Sequence, residues 1–169
     1  VTVALRPIAA EDGPFLLALY RSTREEELAM VVDWTEEQKA AFILMQFNGQ
    51  HTWYQEHYIG ASFDVILVDG VPAGRLYVHR REREIRLVDI SFLPEFRNRG
   101  LGSGLLHELL AEAETAGKPL TIHVEKYNPA MRLYQRLGFT CIGETGPYDL
   151  LEWRPATAPP PSPQLNTAS

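Results

Sequence analysis

Along the chain, apolar and polar positions change period several times, and each change predicts an element. Residues 1–6 alternate, with Val1, Val3 and Leu5 on one side, and predict a strand. Residues 10–22 place Phe15, Leu16, Leu19 and Tyr20 at helical spacing. Thr35-Glu36-Glu37-Gln38 has the capping-box pattern and opens a second helix expected to end near Asn48-Gly49. Residues 63–68 and 73–80 read as two strands of a hairpin, because Asp69-Gly70 between them is a favoured turn pair. Residues 85–92 predict a further strand.

The second half is more regular. Leu101, Leu105, Leu106, Leu109, Leu110 and Ala113 form an apolar stripe on a helix, which Gly117 and Pro119 terminate. Residues 120–124 predict a short buried strand. Asn128 followed by Pro129 predicts an N-cap and first helical position, with the helix running to Leu137 and stopping at Gly138. Residues 139–143 and 150–153 predict two last strands. The order β-α-α-β-β-β-α-β-α-β-β implies an α/β chain with one mixed sheet covered by helices. Strands on either side of the Leu-rich helix are expected to be parallel neighbours.

Composition narrows the class. The chain has 169 residues, which suits one domain, and 45 % apolar with 22 % charged residues is ordinary for a soluble globular protein. Residues 155–169 read PATAPPPSPQLNTAS, with five prolines and no apolar period, and predict a disordered tail or linker beyond a compact domain of residues 1–154. The net charge of −6 argues against a nucleic-acid partner, which requires a basic footprint. No apolar run reaches the roughly 18 residues of a membrane span, and the first residues read as a strand, not a signal peptide. Cys141 is the sole cysteine, so no internal disulfide or cysteine metal cluster is expected, and a cytoplasmic location is the default. The histidines at 51, 57, 79 and 107 lack ligand spacing, His123 reads as a core residue of its strand, and no metal is expected.

The sharpest chemical feature is Arg97-Asn98-Arg99-Gly100-Leu101-Gly102-Ser103-Gly104, between a strand and a helix start. A helix N-terminus presents unpaired N–H groups and the positive end of a dipole, where phosphate oxygens bind. Glycines let the backbone approach a pyrophosphate, and Arg97 and Arg99 add cationic donors. A dinucleotide loop would place its glycines directly after the strand, and here Leu93 to Arg99 intervene. A P-loop would need Gly-Lys-Ser/Thr, which is absent. A tight turn with glycines for helix packing is the remaining alternative.

Arg97-x-x-Gly100-x-Gly102 resembles the R/Q-x-x-G-x-G/A signature of the GNAT superfamily of acyl-CoA-dependent N-acyltransferases. Residues 88–96, Val-Asp-Ile-Ser-Phe-Leu-Pro-Glu-Phe, resemble the family's strand and bulge before that loop. Residues 128–139 resemble its second signature, N-x-A-x-x-L-Y-x-x-L-G-F. The resemblance is strong over residues 72–145, and the first 60 residues fit by order of elements.

The resemblance implies a GNAT fold, a mostly antiparallel mixed sheet with two splayed parallel strands flanked by helices. It implies acetyl-CoA as acyl donor and transfer of the acetyl group to a primary amine, by direct attack in a ternary complex. Ile90, Ser91 and Phe92 would pair with the pantetheine arm, and the backbone of Arg97, Arg99, Gly100, Leu101, Gly102 and Ser103 would hold the pyrophosphate. Asn128 would bond the pantetheine amides, or serve only as an N-cap. Tyr134 would be the general acid toward the leaving thiolate, or else pack beside Leu133 and Leu137. A backbone N–H near Phe92 would be the oxyanion donor.

The family-equivalent base positions fall at Arg86 and Val88, which are not bases. Asp89, Glu25, Glu26 or a water relay are the alternatives, with Asp89 expected on the opposite strand face. Acidic and aromatic residues between about 20 and 60 suit a cationic amine, although acids also favour helix starts and aromatics favour cores. A catalytically silent acyl-CoA sensor or interaction module is the competing reading, and a site for a longer acyl chain is a third. The family often forms homodimers, but no segment here marks a seam.

Overall fold

The structure, a computed structural model, describes residues 1–156. Most of the proline-rich segment expected to form a tail therefore lies outside the described residues. Among the described residues, seven strands hydrogen-bond in the order β1-β2-β3-β4-β5-β7-β6, a mixed sheet with helices, as expected. The chain divides into two compact units. The first comprises Val1–Arg80 and Leu87–Leu105, and the second Arg81–Arg86 and the described chain from Leu106 onward.

In the first unit, β1 (Val3–Pro7) leads through a 3-10 turn into α1 (Gly13–Ser22), then α2 (Glu25–Met30) and α3 (Glu36–His57). Leu16 and Tyr20 of α1, Leu28 of α2, and Ile43 and Phe47 of α3 form one buried cluster. The capping box is formed, with the Thr35 side chain accepting from the Gln38 N–H at 3.1 Å and Gln38 Oε1 from the Thr35 N–H at 2.9 Å. The expected stop at Asn48-Gly49 does not occur, and α3 runs eight residues further. An interior glycine costs about 1 kcal/mol against alanine. What holds the extra turns is tertiary: Gln50 and Tyr54 bond to strand side chains described below. The short α2 escaped sequence detection, since its six residues hold a single buried position, Leu28.

β2 (Ser62–Val68) and β3 (Val71–Arg80) form the expected hairpin. Asp69 and Gly70 both take positive φ, 49° and 79°, as a type I′ turn requires. β3 is buried without interruption from Ala73 to Val78, so it reads as a strand covered on both faces. β4 (Ile85–Phe92) follows.

The helix α4 (Leu101–Ala116) carries the predicted stripe, with Leu105, Leu106, Leu109 and Ala113 buried. Gly117 ends it at φ 65°. In the second unit, β5 (Leu120–Glu125) and β6 (Thr140–Thr145) both pair antiparallel with β7 (Tyr148–Trp153). Between β5 and β6, α5 is shorter than expected, Met131–Arg136, with Ala130 at the cap position. Asn128 does not cap it. Its Oδ1 accepts from the Ala130 N–H at 2.8 Å, closing a turn before the helix, because Pro129 places the chain in that turn and not in the first helical position. His123 also departs from expectation. It is exposed on β5, on the face it shares with the buried Thr121 and the exposed Glu125, while Ile122 and Val124 are buried.

Candidate functional site

The end of β4 and the start of α4 build a backbone cradle in the first unit. Ile90, Ser91 and Phe92 are half-buried. Leu93 donates its N–H to the Ala73 carbonyl at 2.8 Å, which fixes the strand exit, and a 3-10 turn at Pro94–Phe96 delivers the chain to Arg97. Arg97 is a strut of this loop: its Nε donates to the Phe92 carbonyl at 2.9 Å and its Nη2 to Ser22 Oγ at 3.2 Å. Its own N–H is bonded to the Pro94 carbonyl at 3.2 Å, so Arg97 shapes the loop through both side chain and backbone. Asn98 and Gly100 take left-handed φ of 60° and 76°. Asparagine and glycine tolerate this region best. The exposed Arg99 lies with its guanidinium 5.5 Å from the Phe96 ring centroid.

Helical bonding begins with the Gly104 N–H to the Gly100 carbonyl at 3.0 Å. The N–H groups of Leu101, Gly102 and Ser103 precede that first bond and are the donors a helix leaves for a ligand. Glycine at 102 and 104 is not demanded by the fold. Neither has positive φ; a Cβ at Gly104 would meet nothing within 4 Å, and one at Gly102 only the Phe92 ring edge at 3.4 Å. Two bare positions at a helix N-terminus, with space in front of them, fit a pyrophosphate.

Gly74 is a different case. A Cβ there would lie 3.1 Å from Phe92 Cα and closer still to the Ser91 carbonyl. Only glycine lets β3 pass this part of β4. The next residue, Arg75, is 3 % exposed, and its Nη2 bonds to Asp89 Oδ2 at 2.6 Å and Gln50 Oε1 at 2.7 Å. Tyr54 donates to the same Asp89 oxygen at 3.1 Å. Burial and the Asp89 charge raise the Tyr54 phenol well above its ordinary range, so it stays a donor. Sequence reasoning missed this clamp of α3, β3 and β4. Its signal was an arginine inside an apolar run, Ala-Gly-Arg-Leu-Tyr-Val, which must find an anion. Asp89 does sit on the face opposite Val88, as the alternation implied, and it is occupied by Arg75.

The second unit holds Asn128 and Tyr134. Tyr134 is 3 % exposed and packs edge-on against Phe139 with ring centroids 5.6 Å apart. Arg86, at one family-equivalent base position, is buried in a polar network. Its Nε donates to Thr121 Oγ1 at 2.8 Å, and Thr121 donates to Glu84 Oε2 at 2.8 Å. Burial pushes the Glu84 carboxyl up, but the Thr121 hydroxyl and the charges of Arg86 and Arg81 outweigh it and hold the pKa below the usual range. Arg86 Nη1 lies 3.1 Å from His123 Nδ1. A guanidinium only donates, so Nδ1 accepts and the imidazole is neutral with its proton on Nε2. Partial burial and the Arg86 charge lower the His123 pKa accordingly. Glu25 pairs with Arg21 at 3.6 Å, and both Glu25 and Glu26 are exposed. Among the described residues no group of three His, Cys, Asp or Glu side chains is placed to hold a metal, and no helix is long and apolar enough to cross a membrane.

The family model described as the acetyltransferase (GNAT) family matches residues 14–139, three quarters of the chain. The chain belongs to the GNAT acetyltransferase family. Solved GNAT relatives share its fold. The PaiA N-acetyltransferase of Thermoplasma acidophilum, in complex with coenzyme A, superposes with a TM-score of 0.67 at 17 % identity, covering 91 % of this chain and 99 % of that one. An acetyltransferase from Thermus thermophilus gives 0.63 at 20 % identity, covering 91 % and 97 %. Among curated proteins, the cysteine-rich protein 2-binding protein of mouse and of human is 43 % identical over 53 residues. That match takes in 30 % of this chain and 6 % of either relative, so the chain spans a small fraction of their length.

Proposed function

We propose that this GNAT chain transfers the acetyl group of acetyl-CoA to a primary amine, by direct attack in a ternary complex. The observation that supports it most is the pair Gly102 and Gly104, bare at the N-terminus of α4 where the fold itself would accept a side chain. In this reading the N–H groups of Leu101, Gly102 and Ser103 bind the pyrophosphate, with Arg99 as the exposed cation and Arg97 holding the loop. The backbone of Ile90, Ser91 and Phe92 pairs with the pantetheine amides, and the Asn128 amide, whose Oδ1 is already committed to the turn, offers its NH2 group.

The amine lone pair attacks the thioester carbonyl carbon. A C–N bond forms, the carbonyl oxygen takes up negative charge facing a backbone N–H near Phe92, and the C–S bond then breaks. The thiolate leaves with the Tyr134 hydroxyl as its proton source, and the ammonium proton passes to water. A lysine-like amine of pKa about 10.4 enters mostly protonated, a burden of roughly 4–5 kcal/mol at neutral pH. An exposed lone thiol, Cys141, fits a reducing compartment, and we place the reaction in the cytoplasm.

A second reading, a silent acyl-CoA-binding module, is favoured by one observation. The carboxylate that β4 carries, Asp89, is committed to Arg75 and Tyr54. The test is thiol release from acetyl-CoA across a panel of amines, with Tyr134→Phe beside the wild type. The transferase reading expects turnover that falls about 10²-fold or more in Tyr134→Phe while acetyl-CoA affinity holds. Tight acetyl-CoA binding with no turnover of any amine selects the module.

A further inference from the structure

Between α2 and α3, in the first unit, lies a cavity of about 190 Å³ walled by the apolar side chains of Leu28, Val31, Trp34, Phe42 and Ile43. A drug-sized ligand fills about 300–1,000 Å³, so this space admits one group of side-chain size. Arg24, Glu27 and Gln46 complete its lining, and Met30 and Val32, which flank Val31 in sequence, are 81 % and 80 % exposed. Trp34 stands edge-on to Phe42 at 5.2 Å and is itself 39 % exposed.

The segment that forms the cavity is mixed in charge but net negative. Residues 21–39 hold six carboxylates, Glu25, Glu26, Glu27, Asp33, Glu36 and Glu37, against the cations Arg21, Arg24 and Lys39, a net of −3. Arg24 at the cavity wall is compensated by Glu27 at 2.9 Å. Such a net charge attracts cations and repels carboxylates, and the part-exposed Trp34 indole adds to the attraction. The chain leading into the cavity also touches the loop after β4. Ser22, which holds Arg97, lies two residues before Arg24 at the cavity wall.

The geometry points to an acceptor that is a cationic amine carrying one apolar or aromatic group of side-chain size, with that group seated in the α2–α3 cavity. This rests on the amine-acceptor reading above and names the class of amine. Small hydrophilic amines leave the cavity empty and bind weakly, whereas an arylalkylamine, or a peptide amine beside an apolar side chain, fills it.

The test is an equilibrium titration of the full chain followed by NMR of the tryptophan indole N–H signals, with the Trp34 signal identified by Trp34→Phe. The probes are 2-phenylethylamine, ethylamine and 3-phenylpropanoate. The expected result is a Kd for 2-phenylethylamine lower than that for ethylamine by about tenfold or more, as for apolar groups entering a fitted pocket, with the Trp34 signal moving. 3-Phenylpropanoate, with the same ring and the opposite charge, is expected to bind more weakly. Val31→Trp fills the cavity and should raise the 2-phenylethylamine Kd at least as much, leaving the acetyl-CoA Kd unchanged. If that variant does not fold, Trp34→Ala at an exposed wall replaces it, with the same expected direction. Equal Kd values for the two amines, or an unmoved Trp34 signal, overturn the cavity assignment; a carboxylate bound as tightly as the amine overturns its charge basis. Either result with acetyl-CoA binding and thiol release intact leaves the transferase reading standing. Loss of acetyl-CoA binding overturns that reading alone, since the amine titration does not depend on turnover.

Discussion

Replacing Asp89 by leucine should unfold the protein more readily than any surface change, and the size of the effect follows from Arg75. The Arg75 side chain is 4 % exposed, and its charge is balanced by Asp89 at 2.6 Å. In Asp89→Leu the guanidinium keeps Gln50 and the Tyr77 ring, whose centroid lies 4.9 Å from its central carbon, but neither is an anion. Removing one partner of a buried ion pair costs about 3–5 kcal/mol. For a chain of this size about 2–4 °C is lost per kcal/mol, so the thermal midpoint should fall by roughly 6–20 °C. The double variant Arg75→Met, Asp89→Leu removes both charges together, and apolar replacements of buried pairs are neutral or stabilising by about 1–4 kcal/mol. It should therefore recover most of the loss. Circular-dichroism melts of the wild type, the two single variants and the double variant make the comparison. A midpoint within about 2 °C of wild type for Asp89→Leu, or a double variant as unstable as the single, would refute the reasoning, because it would mean the Arg75 charge is not confined by the fold.

Other expectations follow from the same geometry. Gly74→Ala drives a Cβ into the Ser91 carbonyl and should displace β4; acetyl-CoA affinity should drop even at temperatures where the variant remains folded, read by calorimetry against circular dichroism. Asp12, held by the Arg6 guanidinium at 2.8 Å and by the Ala9 N–H at 2.7 Å, has its pKa pulled down to about 2 from an ordinary value near 3.8. A depressed carboxylate stabilises the fold above its unfolded pKa and loses that contribution as pH falls toward the folded one. Denaturant midpoints should thus decline from about pH 5 to pH 2, and Asp12→Asn should flatten that decline.

The parts of the fold that were legible in the sequence are those whose cause is local. Asp69-Gly70 gave its hairpin because both residues accept positive φ, and the Leu stripe gave α4 because its period is internal to the segment. What was not legible depends on distant partners. The extension of α3 through Gly49 depends on Gln50 and Tyr54 meeting Arg75 and Asp89, which are 25 and 35 residues away in sequence. The need for Gly74 comes from the neighbouring strand, so nothing in its own segment announces it. Asn128 carries two turn signals at once, cap and Asx-type turn, and only the position of Pro129 in space chose between them. Ile122 and Val124 make the strand of His123 look buried in the sequence, whereas only its first three residues are buried in succession and His123 and Glu125 are exposed. At the loop, the glycine pattern was readable, but not which glycines serve the backbone and which serve a ligand: Gly100 needs its φ of 76°, while Gly102 and Gly104 do not need theirs to be glycine.

That distinction leads to the most direct test of the central claim: isothermal titration of acetyl-CoA into the wild type and into Gly102→Glu, with ATP as a control ligand. The Cβ of residue 102 has room beside Phe92, so the variant should fold, while its negative charge at the helix N-terminus should repel a pyrophosphate. Saturable acetyl-CoA binding that Gly102→Glu abolishes with its melting curve intact, and no comparable binding of ATP, is the predicted result. Absence of binding at millimolar acetyl-CoA, or binding unaffected by Gly102→Glu, would contradict the account.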